Sequence, residues 1–388
     1  MSEEVSLESI RAARPVVAEQ ARPTQLIESR FLSRTTGGTI ALKAENLQRT
    51  GSFKLRGALN KIASLKPAPA GVVTASAGNH GQSLAYAARA NGISATVFMP
   101  ERASLGKIAA TKESGAEVIL EGDSIIDCVE GALARAEGEG LAFVHPYDDP
   151  AVIAGQGTLG LELVDEAPDL ARVIVPLGGG GLAAGVAIAV KGSLDGVEVI
   201  GVRAEMGDAT TLADGIAVKR PGELTGPLLE RVVDEVVAVG ESPIADAIVM
   251  LLARTKLVVE GAGAVGVAAL RSGRVEPAAD GTTAVILSGG NIDRGMLADV
   301  ARRHETATGR RLRLFTTIHD EPGSLAALLT CLGEGGANLI DVAHVREGVG
   351  LEVGDTGVEL VMETRGDEHA KRLLALIEER GYSARVLS

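Results

Sequence analysis

Four short segments carry residues whose types and spacing could do chemistry. In Gln48-Arg-Thr-Gly-Ser-Phe-Lys-Leu-Arg-Gly-Ala58 a single lysine, Lys54, sits between an aromatic and an apolar residue just after a glycine turn. A lysine that works as an amine needs partial desolvation to lower its pKa; the same residues also describe a solvated lysine at a helix start. Thr74-Ala-Ser-Ala-Gly-Asn-His-Gly-Gln82 follows a β-branched run and opens an Ala-rich helix. Small residues let the backbone approach a ligand, and the N–H groups of a helix start suit an anion such as a carboxylate. An ordinary turn capped by Asn79, with a structural His80, is the other reading. Val175-Pro-Leu-Gly-Gly-Gly-Gly-Leu-Ala-Ala-Gly185 reads as strand, glycine loop and helix, a geometry that cradles phosphate and that a dinucleotide would also use. Leu287-Ser-Gly-Gly-Asn291 puts a hydroxyl at a strand end, where it could bond a ring nitrogen or close a plain turn.

These segments need a scaffold, and the surrounding pattern supplies one. Short β-branched runs recur: Gly71–Thr74, Ala95–Met99, Glu117–Leu120, Val173–Val175, Val197–Val202 and Ala284–Leu287. Such runs read as buried strands, and the Ala-rich stretches between them, Ser83–Ala90 and Leu182–Lys191, read as helices. Alternation of this kind implies α/β architecture with mostly parallel sheet over the first ~300 residues. Near Ala301–Arg311 the texture becomes polar and charged, and a domain boundary is expected there. Beyond it, alternating Leu312, Leu314 and Ile318 predict a strand, and Leu325, Leu328, Leu329 and Leu332 a helix. Strands around 338–345 and 358–363, a helix through Ala370, Leu373, Leu374 and Ile377, and a last strand Ser383–Leu387 complete a βαββαβ ferredoxin-like order.

Composition narrows the class. With 388 residues, 46% hydrophobic and 23% charged, the chain can bury more than one core. Its 38 basic against 51 acidic residues give a net charge of −13, which repels phosphate backbones, so no nucleic-acid partner is expected. Cys128 and Cys331 lie far apart with no metal spacing, which suits a reducing cytoplasm. The acidic start Met-Ser-Glu-Glu is unlike a signal peptide, and the apolar stretch Val175–Val190 is shorter than the ~20 residues of a spanning helix, so no membrane partner is expected.

The four segments, in this order, resemble the fold-type II pyridoxal-phosphate family and specifically its threonine and serine dehydratases. Ala154-Gly-Gln-Gly-Thr158, Ala213-Asp-Gly-Ile-Ala-Val218 and Glu260-Gly-Ala-Gly-Ala264 add to the likeness, which spans about residues 20–305. It implies a two-domain fold-type II enzyme, tryptophan synthase β-like, over residues 1–305, with a small subdomain at about 71–147 inserted in the larger one. It implies pyridoxal 5'-phosphate on Lys54, flanked by Phe53, with Asn79 on the ring's 3-oxygen and Ser288 at its nitrogen. Gly178, Gly179, Gly180, Gly181 and Leu182 would hold the phosphate; Ser76, Gly78, Asn79 and His80 would receive the substrate carboxylate. The implied activity is β-elimination and deamination of L-threonine to 2-oxobutanoate and ammonia, and of L-serine to pyruvate, with Lys54 as the base.

Serine or 3-hydroxyaspartate dehydratase, serine racemase and a non-catalytic pyridoxal-phosphate amino-acid sensor are the competing readings. Racemases of the family carry a serine where this chain has Ala77, which implies poor racemisation. Where metal-binding relatives place carboxylates after a strand, this chain has Arg203, with Glu205 and Asp208 following in what reads as a solvated acidic turn; no metal is expected. Residues 311–388 resemble an ACT domain in Asp320-Glu-Pro-Gly-Ser-Leu325 and Gly336-Ala-Asn-Leu-Ile340. That implies an amino-acid effector, isoleucine or valine, near Pro322, Gly323, Asn338 and Ile340; a dimerisation module without a ligand is the alternative. A homo-oligomer, dimer or tetramer, is expected.

Overall fold

The computed structural model describes residues 5–205, 211–218, 220–346 and 351–387. Residues up to Asp293 and from Arg294 onward form two compact units. The first contains, among the described residues, strands β1 (Leu26–Glu28), β2 (Thr39–Lys43), β3 (Gly71–Ala75), β4 (Ser94–Met99), β5 (Glu117–Leu120), β6 (Ala142–Phe143), β7 (Leu170–Pro176), β8 (Glu198–Ala204), β9 (Glu235–Val239) and β10 (Thr282–Ile286). They make two sheets. The larger runs β1-β2-β10-β7-β8-β9, parallel except for β1, and the smaller runs β5-β4-β3-β6, all parallel.

Strands β3 and β10 are buried at every residue, as parallel strands covered on both faces must be, which is why they read as unbroken apolar runs. The sequence expectation does not include β2, Thr39-Ile-Ala-Leu-Lys43, whose terminal Lys43 is fully buried. Its amine donates to Thr24 O at 2.6 Å and pairs with Glu166 at 2.7 Å and Glu162 at 2.8 Å. Arg56 is buried beside it, forked between Glu45 and Glu162.

The glycines of Ala154–Thr158 have a packing purpose. They lie in the helix Pro150–Glu166, whose Asp149 cap accepts from the N–H groups of Ala151 and Val152. A Cβ on Gly155 would fall 2.6 Å from Arg56 O, and one on Gly185 would fall 2.5 Å from Ile153 O and 2.8 Å from Gly157 N. Gln156 Oε1, between them, accepts from Gly57 N at 3.2 Å. This helix therefore joins, backbone to backbone, the helix that starts at Lys54 (Lys54–Ser64) and the one that starts at the glycine loop (Gly181–Lys191).

The second unit corrects the expected polar connector at 301–311. A helix covers Arg294–Ala307, its polar residues form a solvated face, and Leu297, Val300 and His304 turn inward at helical spacing. Strands β11 (Arg311–His319), β12 (Asn338–Val345), β13 (Asp355–Glu363) and β14 (Ala384–Val386) form an antiparallel sheet in the order β12-β13-β11-β14. With helices Ser324–Glu334 and Asp367–Glu379 this is the ferredoxin-like arrangement. Leu312, Leu314, Thr316 and Ile318 alternate inward on β11 and pack with Leu328, Leu332, Leu373 and Ile377.

The glycine joint yields a stability prediction. Gly185→Ala is expected to destabilise by about 1–3 kcal/mol, because the new methyl meets main chain that cannot swing away. Gly138→Ala, inside the helix Ile125–Glu139 with no atom within 4 Å of the added methyl, is expected to stabilise by about 0.5–1 kcal/mol. Denaturant unfolding of the two variants checks the pair; equal effects would contradict the joint.

Candidate active site

Lys54 is placed by an extension of the β2–β10 ladder. Leu287 N donates to Lys43 O and Asn46 N to Leu287 O, both at 3.0 Å; after a short 3₁₀ turn, Glu45–Leu47, the chain returns to the same neighbour. Gly290 N then donates to Gly51 O at 2.9 Å and Phe53 N to Ser288 O at 3.0 Å, with Ser52 bridged to Gly289. The helix begins at the next residue, so Lys54 stands in its first turn, beside the serine expected at the ring nitrogen. A cation is disfavoured at the positive end of a helix. Desolvation lowers the Lys54 amine to about 8, against the opposing pull of Glu260.

One turn connects that amine to the glycine loop. Lys54 Nζ donates to Pro146 O at 2.7 Å and lies 5.2 Å from the Phe53 ring centroid. The next residue, Tyr147, lays its ring on Gly179, where a Cβ would fall 2.4 Å from the ring carbons. Asp148 Oδ1 accepts from Leu224 N and Thr225 N, and Thr225 donates to Gly179 O at 2.6 Å. Gly180 has φ +98°, a left-handed conformation that favours glycine. The helix from Gly181, with Leu182 buried behind it, directs its first N–H groups, which have no partner in the helix, toward the loop. His145 shapes the turn: its Nδ1 accepts from Asp148 N at 2.7 Å and Tyr147 N at 3.3 Å, and burial lowers its pKa, so the neutral ring carries its proton on Nε2.

The Thr74–Gln82 segment is strand β3, a loop and the helix Asn79–Ala90. Ser76 Oγ accepts from Gly78 N at 3.2 Å and Gly81 N at 3.1 Å, which shapes the loop. Asn79 donates to Glu260 Oε1 at 2.7 Å and accepts from Asn291 at 2.8 Å, so the first and last segments meet there. The His80 ring turns away from the loop: it is 3% exposed and bonds Val144 O at 3.1 Å. Burial, then Lys54, lower it to about 3, so it stays neutral.

The structure thus brings Phe53, Lys54, Ser76, Gly78, Asn79, Gly178–Leu182 and Ser288 to the ends of β2, β3, β7 and β10 or into the segments that follow them. Reasoning from sequence missed His145, Tyr147, Asp148 and Thr225, and it gave Glu260 and Asn291, which stand in stretches it singled out, no part of their own in the site. The run His145-Pro-Tyr-Asp-Asp149 just after a short strand was the available signal. Elsewhere, Glu205 is exposed and 3.8 Å from Arg274 in an ion pair, while Asp208 lies outside the described residues.

The four expected effector residues do not converge within one copy of the second unit. Pro322 and Gly323 follow the end of β11, where His319 pairs with Asp355, whereas Asn338 pairs with Glu363, which also pairs with Arg311 at the start of β11. Nine residues of strand separate the two ends. Ile340 is exposed at a register irregularity of β12.

The site fits pyridoxal phosphate on its own geometry. A poised amine, a left-handed glycine cradle at a helix start and a buried hydroxyl residue, Ser288, surround one turn, and a side chain at Gly179 would displace Tyr147. The family model described as "Pyridoxal-phosphate dependent enzyme" matches residues 17–289. The L-threonine ammonia-lyase of Thermotoga maritima is 44% identical over 99% of this chain and 100% of its own length. The catabolic L-threonine dehydratase TdcB of Escherichia coli K12 is 42% identical over 76% of this chain and 96% of its own. The solved structure of maize serine racemase is similar with a TM-score of 0.73 at 31% identity, covering 78% of this chain and 98% of that one. By its fold, its site and the family model that spans both sheets, this chain belongs to the pyridoxal-phosphate dependent enzyme family.

Proposed function

We propose that this enzyme is a threonine ammonia-lyase that converts L-threonine to 2-oxobutanoate and ammonia, and L-serine to pyruvate and ammonia. The observation that carries the reading is the end-to-end likeness to the Thermotoga maritima L-threonine ammonia-lyase. Bound pyridoxal phosphate supplies a carbonyl for an amine and a conjugated ring that accepts the electron pair released at the substrate's α-carbon. The protein does the rest. Main-chain N–H groups of Gly178–Gly181 would bind the phosphate, Asn79 would bond the ring oxygen, and the Ser76–His80 loop would receive the substrate carboxylate. Ser288, a neutral hydroxyl rather than a carboxylate, would bond the ring nitrogen without supplying a charge that holds it protonated. Lys54 would hold the cofactor through Nζ and is the group placed to accept the α-proton there; an amine lowered to about 8 is available for that near neutral pH. In the net reaction the α-proton and the β-hydroxyl leave as water, and one water is taken up as the amino group leaves as ammonia.

Serine racemisation is the second reading, favoured by the structural likeness to the maize enzyme. Ala77 argues against it, since it offers no proton donor at the position the racemases fill with serine.

We further propose that residues up to Asp293 form the catalytic part and that the second unit is an ACT-type regulatory domain binding isoleucine or valine. The length of the Escherichia coli relative, matched over 76% of this chain, supports separability. Since Pro322–Gly323 and Asn338–Ile340 sit at opposite ends of the sheet, an effector contacting both sets would bridge two copies, in keeping with a homo-oligomer. Cys128 and Cys331, both free and buried, suit the cytoplasm; no helix among the described residues is long and apolar enough to cross a membrane.

Lys54→Ala is expected to abolish the visible band of the bound cofactor and to lower ketoacid formation by at least about 10³-fold. In the wild type, capture of added cofactor should speed up as pH rises through about 8, where Lys54 loses its proton; a flat profile from about pH 6.5 to about 9.5 in absorbance mixing experiments would contradict the assignment. Chiral chromatography of residual serine should find far less D-isomer than ketoacid, with Ala77→Ser raising the D-isomer; abundant D-serine from the wild type would favour the racemase reading. Deleting residues after Asp293 should leave turnover but remove the response of threonine kinetics to isoleucine and valine. A response retained by the soluble, cofactor-loaded truncation would move the effector site into the first unit.

A further inference from the structure

Glu260 has no role in the reading above, yet it is built into the site. It stands at the N-cap position of the helix Gly261–Arg271 without a side-chain bond to the helix, is 6% exposed, and anchors its N–H on Gly289 O at 3.0 Å. Its carboxylate is seated by the turn that follows β10, where a Cβ on Gly289 would lie 2.3 Å from Oε1. The hydrogen bonds leave Asn79 one orientation. Asn291 Nδ2 has two N–H groups, one directed to Thr50 O and one to Asn79 Oδ1, both at 2.8 Å. The Asn79 oxygen must therefore face Asn291, and its nitrogen faces Glu260 at 2.7 Å. One N–H of that nitrogen goes to the carboxylate; the other is the donor for a ring oxygen.

We propose that Glu260 is a positioning residue whose carboxylate locks the Asn79 amide so that it presents an N–H to the cofactor, and whose protonation releases that lock. The proposal rests on the reading of Asn79 as a cofactor contact. The groups facing Glu260 are Asp214 from the turn Asp214–Ile216, Lys107 from the helix Leu105–Glu113, the Lys54 amine, Asn79 and the Asn291 main-chain N–H. Burial first, and then Asp214, raise Glu260 to about 7, while Asn79, Lys107 and Asn291 N–H hold it down. A carboxyl raised this way is charged above that pH, so the lock is present on the alkaline side and fades as pH falls through about 7.

The test uses the full-length holoenzyme with two readouts, the dissociation constant of pyridoxal phosphate and the absorbance of the bound cofactor from pH 5.5 to 9. Asn79→Ala and Glu260→Ala should each weaken cofactor binding roughly 10- to 100-fold, the range of one charge-assisted hydrogen bond. Glu260→Ala should add nothing on the Asn79→Ala background. Glu260→Gln has the shape and neutrality of the protonated carboxyl, so at every pH it should bind cofactor as the wild type does on the acid side, and it should lose the spectral step near pH 7. Additive effects of the two alanine substitutions, or a pH step that survives in Glu260→Gln, would overturn the proposal while leaving Asn79 as a contact. Unchanged affinity in Asn79→Ala would overturn the site reading and the proposal with it.

Discussion

One buried guanidinium holds the Lys54 helix in place. Arg56, two residues after Lys54, directs Nε and Nη2 to Glu45 at 2.9 and 2.8 Å, and Nη1 and Nη2 to Glu162 at 2.6 and 2.8 Å. A fifth bond reaches Thr158 at 3.3 Å, so all five N–H groups are used. Desolvation works against the charge, but the two carboxylates outweigh it and raise the Arg56 pKa. Lys43 closes the network on Glu162 and Glu166. Such a cluster is a weak source of net stability, since each ion is costly to desolvate, but it tolerates only one geometry. It clamps the start of the Lys54 helix, the end of β2 and the helix Pro150–Glu166 in that geometry.

The rest of the site follows from that clamp. With the Lys54 helix held against Pro150–Glu166, the glycine contacts carry the constraint on to Gly181–Lys191 and hence to the glycine loop before it. The His145–Asp149 turn then spans the remaining gap, taking Lys54 on Pro146 O and the loop on Tyr147 and Asp148. Supports of this kind fix the position from which the flexible Lys54 side chain extends.

The electrostatics share one cause. Burial lowers Lys54 and His80 and raises Glu260, in each case disfavouring the charged form. Lys54 and Glu260 end near neutrality, to about 8 and about 7, where each can change its proton under ordinary conditions. His80 lies far below and serves as a neutral structural donor. Three residues in one enclosure therefore separate into two that titrate and one that does not.

The amino-acid sequence by itself determined the α/β alternation, the ferredoxin-like C-terminal order and the four chemical segments. Those signals are local: a buried parallel strand needs an unbroken apolar run, and a phosphate cradle needs consecutive glycines before a helix. Tertiary structure alone decided what lies between them. Lys43 is a buried cation that only the fold supplies with partners, Glu162 and Glu166, more than a hundred residues away. Glu260 stands in a stretch that carries the family likeness, but only the fold brings Asn79 to it across 181 residues. The effector residues show the converse, since two plausible motifs were separated by the length of a β-strand. Burial and distance are properties of the folded chain, and the charge state of a group depends on both, so the site's residue types were legible beforehand while its proton chemistry was not.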